Sequence, residues 1–374
     1  EVVKSLKADF ITQGKQIELF ENELCKVFEC KYAVVLNSGT AALHIAYKVL
    51  DIKNGDNVIT SPVTFLSTAS AASLLGANIH FVDVNKITGL MSLSSLKEKL
   101  NNFIKPIKVI TPVHLAGKAV DMVAVYKEAK KKNIKILEDA SHAPLAEYSD
   151  SKGKIYKVGN CSHSDITVIS FHAIKHIAMG EGGVILTNNK KYAEQAMRYR
   201  SHGIIRNSNM WIGEEANKNK PWYYEMQDIG WNYRATEMQC ALGRSQLSRL
   251  DYSLKRRNDL AKIYYDYLSG FENIELNSKP SDKCLHSYHL YTILINTNKI
   301  KKNKIQIMEE LKNNGIGTQI HYIPLFFQPY FKVNYKDFSS ALEYYDRSLS
   351  IPLYLQLTRS DIIKISEIIK KIIY

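Results

Sequence analysis

The 374-residue chain lacks several features that would assign it to a class of protein directly. It has no apolar run near the ~20 residues that a membrane-spanning helix needs. Its start, Glu1-Val-Val-Lys-Ser-Leu-Lys7, does not have the composition of a signal peptide. Internal repeats and low-complexity linkers are also missing, so a repeat architecture is excluded. We therefore predict a cytoplasmic protein without a membrane partner.

Cysteine is scarce, and its five positions are scattered along the chain. Their number is odd, and no two of them have the spacing of a metal site. We interpret them as reduced thiols that mostly fill the core, and we predict no bound metal.

Acidic residues are outnumbered, with 37 Asp and Glu against 50 Lys and Arg, which gives a net charge of +13. A charge of this size can indicate a nucleic-acid partner. The basic residues are diffuse, however, and the clearest runs, 130–132 and 301–302, are typical of solvated faces. We predict no nucleic-acid partner and a modest advantage for an anionic substrate.

Apolar segments typical of strands alternate with helical segments through the first half of the chain. The predicted strands are 32–36, 57–60, 77–83, 107–113, 134–138, 166–171 and 182–187. This alternation predicts an α/β fold, with a mostly parallel sheet covered by helices on both faces. We place a large domain at 1–245, including an N-terminal helical segment, and a smaller C-terminal α+β domain at 246–374. The second contains a predicted strand at 288–295 and a final amphipathic helix at 362–373.

Lys175 lies between two of these strands, after Ser170-Phe-His-Ala-Ile and before Gly180-Glu-Gly-Gly183. Partial burial there would lower its pKa and make it a nucleophile and a base. Without other evidence, a solvated surface lysine is the more common interpretation.

Asp139 closes another apolar strand, at the end where open parallel sheets bind ligands. Pyridoxal phosphate needs an acid beside its ring nitrogen and a lysine that bonds to it, and Asp139 and Lys175 are residues of these types. The competing interpretation of Asp139 is a helix N-cap.

Ser38-Gly39-Thr40 follows the first strand and opens a helix of small residues. Free N–H groups at a helix N-terminus, with hydroxyls beside them, can bind a phosphate. A bare Ser-Gly-Thr sequence is more often structural.

These pieces belong to an ordered set of motifs that extends nearly from end to end. The chain resembles the DegT/DnrJ/EryC1/StrS family of sugar aminotransferases, which depend on pyridoxal 5'-phosphate (PLP) and have fold type I. The motifs are Ile11-Thr-Gln-Gly14, Asn37-Ser-Gly-Thr-Ala-Ala-Leu43, Ser61-Pro-Val-Thr-Phe65, Glu138-Asp-Ala-Ser-His142, Ser170-Phe-His-Ala-Ile-Lys175, Gly180-Glu-Gly-Gly183, Arg200-Ser-His-Gly203, Gly230-Trp-Asn-Tyr-Arg234 and His321-Tyr-Ile-Pro324.

The resemblance implies roles for the matching residues. Lys175 would bond to the cofactor and carry the proton, and Asp139 would pair with the pyridinium nitrogen. His142 would contact the O3′ hydroxyl, and Phe65 would stack on the ring. The phosphate would be held by Ser38, Gly39, Thr40 and Ser170, and by Asn232 and Arg234 of the other subunit of a homodimer with shared sites. Thr12, His321 and Tyr322 would contact the sugar nucleotide.

Within the family the chain is most similar to the transaminases of pseudaminic acid biosynthesis. Three segments carry this closer match: Leu115-Ala-Gly-Lys-Ala-Val-Asp121, Ser170-Phe-His-Ala-Ile-Lys175 and Pro221-Trp-Tyr-Tyr-Glu-Met-Gln227. The implied reaction moves an amino group from L-glutamate to a 4-keto-6-deoxy UDP-N-acetyl-amino sugar. One alternative is another keto nucleotide sugar, of the C3 type or the legionaminic C4 type. A second is a non-catalytic regulator of the same fold, but such regulators carry a helix-turn-helix domain, and no segment is left over to supply one.

Two positions bear on these alternatives. Relatives that catalyse dehydration carry His where the aminotransferases carry Lys, and position 175 is Lys. Pro144-Leu145 stands where relatives usually have a glycine, which leads us to expect an altered sugar pocket.

Overall fold

The computed structural model describes residues 1–214, 220–280, 283–296 and 299–374. The N-terminal segment forms helices α1 (Val2–Leu6) and α2 (Lys15–Phe28), as predicted. Helix α2 buries Phe20, Leu24 and Phe28, which are four residues apart and therefore share one face of the helix.

Alternating strands and helices follow, up to residue 205. The strands are β1 (Tyr32–Leu36), β2 (Asn57–Thr60), β3 (Asn78–Phe81), β4 (Ile107–Thr111), β5 (Lys135–Asp139), β6 (Glu147–Ser149), β7 (Ile155–Lys157), β8 (Ile166–Ser170), β9 (Gly183–Thr187) and β10 (Ile204–Ile205). The helices are α3 (Gly39–Val49), α4 (Ser67–Ser73), α5 (Leu93–Asn102), α6 (Met122–Lys131) and α7 (Lys190–Arg200).

Seven of these strands form one sheet in the order β1-β9-β8-β5-β4-β2-β3. Strand β9 is antiparallel to both of its neighbours, and the pairs from β8 to β3 are parallel. The predicted α/β fold with a mostly parallel sheet is therefore confirmed. Strand β4 ends at Thr111, earlier than predicted, because Pro112 follows and has no N–H group for the ladder.

The rest of the chain contains strands and long helices. They are β11 (Glu225–Met226), α8 (Glu237–Leu247), α9 (Leu250–Leu268), β12 (Ile274–Leu276), β13 (Tyr291–Ile295), α10 (Lys304–Asn313), α11 (Ser339–Arg347), β14 (Ser348–Ile351) and α12 (Arg359–Ile373). Strands β12, β13 and β14 form a second, antiparallel sheet.

The second sheet has its own apolar core, in which Tyr264, Ile293 and Ile369 are buried. Strand β13 begins three residues later than predicted, because Tyr288 has a φ of 44°, which is not an extended conformation. The division of the chain at residue 245 stays a prediction. In the described part of the chain, no helix has the length and apolarity that a membrane crossing requires.

Gly183 connects the sheet to the turn at Ser38. A Cβ atom at position 183 would lie 2.5 Å from the Ser38 carbonyl oxygen and 2.8 Å from the Gly39 Cα. Both are backbone atoms, so they cannot rotate away. The close approach of β9 to this turn therefore requires glycine.

We predict that Gly183→Ala lowers the free energy of unfolding by about 1–3 kcal/mol, because the added methyl group displaces backbone in a packed region. Urea unfolding measures the change. Gly317→Ala is the matched control, since a Cβ there meets no atom within 4 Å, and we expect it to stay within about 0.5 kcal/mol of the parent. Equal stability of the two variants would contradict this account of Gly183.

Candidate active site

A cavity of ≈ 440 Å³ opens at the carboxyl ends of strands β1, β5 and β8. Most of the site residues predicted from sequence line it together: Ser38, Gly39, Thr40, Phe65, Asp139, His142, Ser170, Lys175, His321 and Tyr322. Strands from distant parts of the chain end at one edge of the sheet, which is where open α/β sheets bind ligands.

Thr12, Asn232 and Arg234 do not line this cavity. Thr12 and Asn232 are exposed. The backbone carbonyl of Asn232 accepts a hydrogen bond from the side-chain Nδ2 of Asn37 at 3.5 Å, and the side chain of Asn232 takes no part in that contact. The roles expected for these three residues stay predictions.

Lys175 lies in the loop between β8 and β9. Burial lowers the pKa of its amine to about 8, against the opposing effect of the Asp139 carboxylate. Its Nζ lies 3.4 Å from the Nε2 atom of His289. The site therefore contains a primary amine that is partly in its nucleophilic, uncharged form near neutral pH.

Asp139 ends β5 and is only 4% exposed. Its Oδ2 accepts a hydrogen bond from Thr68 Oγ1 at 2.6 Å, and its Oδ1 accepts from the Ser141 amide at 3.1 Å and from the Ser141 hydroxyl at 2.6 Å. No helix begins at residues 140–146, so Asp139 is not the helix N-cap of the competing interpretation. A carboxylate has about four lone-pair sites, so one remains for a donor in the cavity.

Ser38 is the N-cap of α3, and its hydroxyl accepts a hydrogen bond from the Ala41 amide at 3.0 Å. The first hydrogen bond of the helix runs from the Ala42 amide to the Ser38 carbonyl. The amides of Gly39 and Thr40 come before it and therefore have no acceptor within the helix. A Cβ at position 39 would lie 3.0 Å from Ser170 Oγ. The helix N-terminus and this hydroxyl therefore form one compact cradle for an anion.

His142 is buried, and both of its ring nitrogens have partners. Its Nδ1 accepts from the Ala116 amide at 3.3 Å, and its Nε2 lies 3.0 Å from the Tyr322 hydroxyl. This pairing places the ring proton on Nε2, which donates to Tyr322. Burial raises the pKa of Tyr322, so its own proton stays bound and is available to an acceptor in the cavity. The expected contact of His142 with the cofactor stays a prediction.

Phe65 lies at the mouth of the cavity with 53% of its surface exposed. Its ring centroid is 5.9 Å from that of Tyr322. An exposed aromatic face beside the lysine and the aspartate is suited to stacking on a planar ring.

Sequence reasoning missed Thr68 and His289, which contact Asp139 and Lys175 directly. Thr68 gave no signal, because it lies on α4 in a run of small residues. His289 stands in the segment 288–295, which the sequence analysis treated only as a strand.

Pro144 and Leu145 do not line the cavity, which gives no support to the expected change of the sugar pocket. Leu145 is buried and has a φ of 59°, in the region that glycine adopts most easily. The backbone therefore keeps the left-handed conformation here with a leucine.

The residues present fit PLP. The cavity contains a partly buried amine with a lowered pKa, a buried carboxylate held by three hydrogen bonds, and an anion cradle at a helix N-terminus. These are the covalent, ring-nitrogen and phosphate partners that the cofactor needs.

A family model supports the same conclusion. The model of the DegT/DnrJ/EryC1/StrS aminotransferase family matches residues 1–370. The uncharacterized protein MJ1066 of Methanocaldococcus jannaschii is 38% identical over 379 residues, which cover 100% of this chain and 94% of that protein. The UDP-4-amino-4,6-dideoxy-N-acetyl-beta-L-altrosamine transaminase of Campylobacter jejuni is 35% identical over 365 residues, which cover 96% of this chain and 90% of that protein.

A solved structure is similar over the whole chain. It is that of Helicobacter pylori PseC, an aminotransferase involved in the biosynthesis of pseudoaminic acid. The TM-score is 0.89 and the identity 29%, with 100% of this chain and 95% of that chain covered.

The lowered pKa of Lys175 leads us to predict that its amine reacts with acylating reagents at a lower pH than an ordinary lysine does. With a pKa of about 8, about 10% of the amine is uncharged at pH 7, against well below 0.1% for an ordinary lysine. In cofactor-free protein, trace acylation of Lys175 should therefore rise as the pH passes through about 8. Mass spectrometry of the Lys175 peptide measures this, with the urea-unfolded protein as control. The same titration curve in both states would contradict the prediction.

Proposed function

The chain belongs to the DegT/DnrJ/EryC1/StrS aminotransferase family, and we propose that it transfers an amino group from L-glutamate to a 4-keto-6-deoxy UDP-N-acetyl-amino sugar. Members of this family are PLP-dependent sugar aminotransferases. The observation that carries the proposal is the convergence of Lys175 and Asp139 on one cavity in a chain that is 35% identical to a UDP-sugar transaminase. The product would be an amino sugar for pseudaminic acid.

PLP, when bound, supplies an aldehyde that takes up the amino group and a ring that acts as an electron sink. Lys175 would hold it covalently, and its Nζ would move the proton at the reacting carbon of donor and acceptor. The lowered pKa of this amine suits both roles, because an ammonium can neither attack nor accept a proton.

Asp139 would hold a proton at the ring nitrogen. Its hydrogen bonds from Thr68 and Ser141 fix the orientation of the carboxylate. Phe65 and Tyr322 would face the ring and the sugar, and the Tyr322 hydroxyl would donate to an oxygen of either one. Thr12 and His321 would contact the nucleotide part.

The cradle at α3 would bind the phosphate of the cofactor. A helix N-terminus offers only about half a positive charge, whereas a phosphate carries about −1.5 to −2. Among the described residues that line the cavity, Lys175 is the one lysine or arginine, and it has another role. The missing positive charge supports the proposal that Arg234, with Asn232, comes from a second subunit of a homodimer.

The experiment that tests the substrate uses the PLP form of the protein with glutamate and a panel of 3-keto and 4-keto UDP- and dTDP-sugars. We expect amination at C4 of a UDP-linked N-acetyl-amino sugar, identified by NMR of the product. Lys175→Ala is the control and should give no product, because the amine is lost. Amination of dTDP-sugars alone, or at C3, would overturn the assigned substrate and leave the family unchanged.

If each active site contains residues of both subunits, two inactive variants should restore activity when they are mixed. These two variants are called the parents. Lys175→Ala removes the amine, and the double variant Asn232→Ala, Arg234→Ala removes the side chains proposed to cross the interface. In a mixed dimer, one site would combine an intact Lys175 with an intact Asn232 and Arg234 from the other chain. Each heterodimer should therefore recover up to about half of the activity of a wild-type dimer, that is, one working site.

Native mass spectrometry confirms that subunits have exchanged, and each parent alone serves as the control. Heterodimers that form but stay as inactive as their parents would show that Asn232 and Arg234 act within their own chain.

A further inference from the structure

His289 reaches the active site from the C-terminal part of the chain. It lies just before β13, after Tyr288, whose φ is 44°. The guanidinium of Arg257 on α9 fixes this segment, because its Nη1 donates to the carbonyl oxygens of Tyr288 at 2.9 Å and of His289 at 3.3 Å. The backbone of His289 is therefore held in place independently of its side chain.

The ring of His289 contacts the reactive lysine. Its Nε2 lies 3.4 Å from Lys175 Nζ, and the residue is 7% exposed. Within the described part of the chain, its Nδ1 is buried without a hydrogen-bond partner. Lys175 is thus the side chain that lies within hydrogen-bonding distance of the ring, at its Nε2 atom.

The ring is uncharged at neutral pH. Burial lowers the pKa of His289 well below its usual value, and the nearby His142, Lys175, His176 and Arg257 lower it further. Its ring centroid is 4.5 Å from that of His142 and 5.5 Å from that of His176. Burial likewise lowers the pKa values of these two histidines.

A neutral partner suits this position. A carboxylate in contact with Lys175 would raise the pKa of the amine and hold it as an unreactive ammonium. An apolar side chain would leave a buried amine without a hydrogen bond, which is unfavourable. A neutral imidazole provides the hydrogen bond and adds no charge.

We infer that His289 is a positioning residue, whose Nε2 holds the Nζ of Lys175 whenever this amine is not bonded to the cofactor. The inference rests on the proposed function, because it takes Lys175 as the residue that bonds to PLP. The reaction releases the lysine and recaptures it in every cycle, so a fixed position for the free amine shortens its search for the reacting carbon.

The first test is a double-mutant cycle on thermal stability, in cofactor-free protein. His289→Leu is made in the wild type and in Lys175→Met, where the amine is absent. We expect His289→Leu to lower the melting temperature less in the Lys175→Met background, because the hydrogen bond is already lost there. An equal shift in both backgrounds would mean that His289 is only a packing residue, and the inference would fail.

The second test follows the capture of PLP by the cofactor-free protein, without an amino donor, by stopped-flow absorbance. We expect His289→Leu to slow covalent capture about tenfold, in line with the loss of a positioning contact, and His289→Gln to restore most of the rate, because its amide can hydrogen-bond to the amine. His80→Leu is the matched control, since it removes a half-buried imidazole at the far edge strand β3. Capture by His289→Leu at the wild-type rate would overturn the inference.

Borohydride reduction fixes PLP on the lysine that bonds to it, and peptide mapping then identifies this lysine. The result distinguishes a failure of the role of His289 from a failure of the assignment of Lys175. Label on Lys175 with no effect of His289→Leu would reject His289 alone. Label on another lysine would reject the assignment of Lys175, and with it the proposed function of the site.

Discussion

Burial of one amine is the constraint on which the rest of the site depends. Burying a charged ammonium without a charged partner costs a large free energy, and the pKa of Lys175 falls in consequence. The surroundings preserve this effect: the side chain in hydrogen-bonding distance of the amine is the neutral imidazole of His289. Asp139 acts on the amine through space, and its oxygens are engaged by Thr68 and Ser141. The acid therefore moderates the shift of the lysine pKa without abolishing it.

Strand geometry separates two adjacent carboxylates that would otherwise compete for the site. Successive side chains of a strand point to opposite faces, so Glu138 and Asp139 diverge at the end of β5. Burial alone would raise the pKa of Glu138, but hydrogen bonds from His114, Ser164 and Thr167 lower it overall. His114 accepts from the Val120 amide through Nδ1, so its Nε2 carries the proton and donates to Glu138 at 2.8 Å. One carboxylate thus supports the sheet, and the other is left for chemistry.

Ser38, Asp139 and Ser170, which sequence reasoning predicted from the pattern of strands, lie at or next to strand ends. Phe65, His321 and Tyr322 do not, and they were predicted through the family resemblance alone. The residues after β1, β5 and β8 could be placed at one edge because parallel strands align their carboxyl ends there. Thr68 lies inside a short helix of small residues, and His289 follows a residue with positive φ, so neither has a pattern that points to the cavity. Thr12, Asn232 and Arg234 do not line the cavity. Family resemblance supplies their identity and, for Asn232 and Arg234, the expectation that they act in the site of the other subunit.

Arg257 contributes to the site although its own side chain does not line the cavity. This buried guanidinium donates to three backbone carbonyls, those of Tyr288, His289 and Leu353. Burial lowers its pKa to about 10, so it stays charged at neutral pH, where charge-assisted hydrogen bonds are strong. Because these contacts hold backbone atoms, the position of the His289 ring is set by α9 and by the segment after β14. The environment of the reactive amine therefore depends on Arg257, about 80 positions later in the sequence, as well as on the loop that carries the amine.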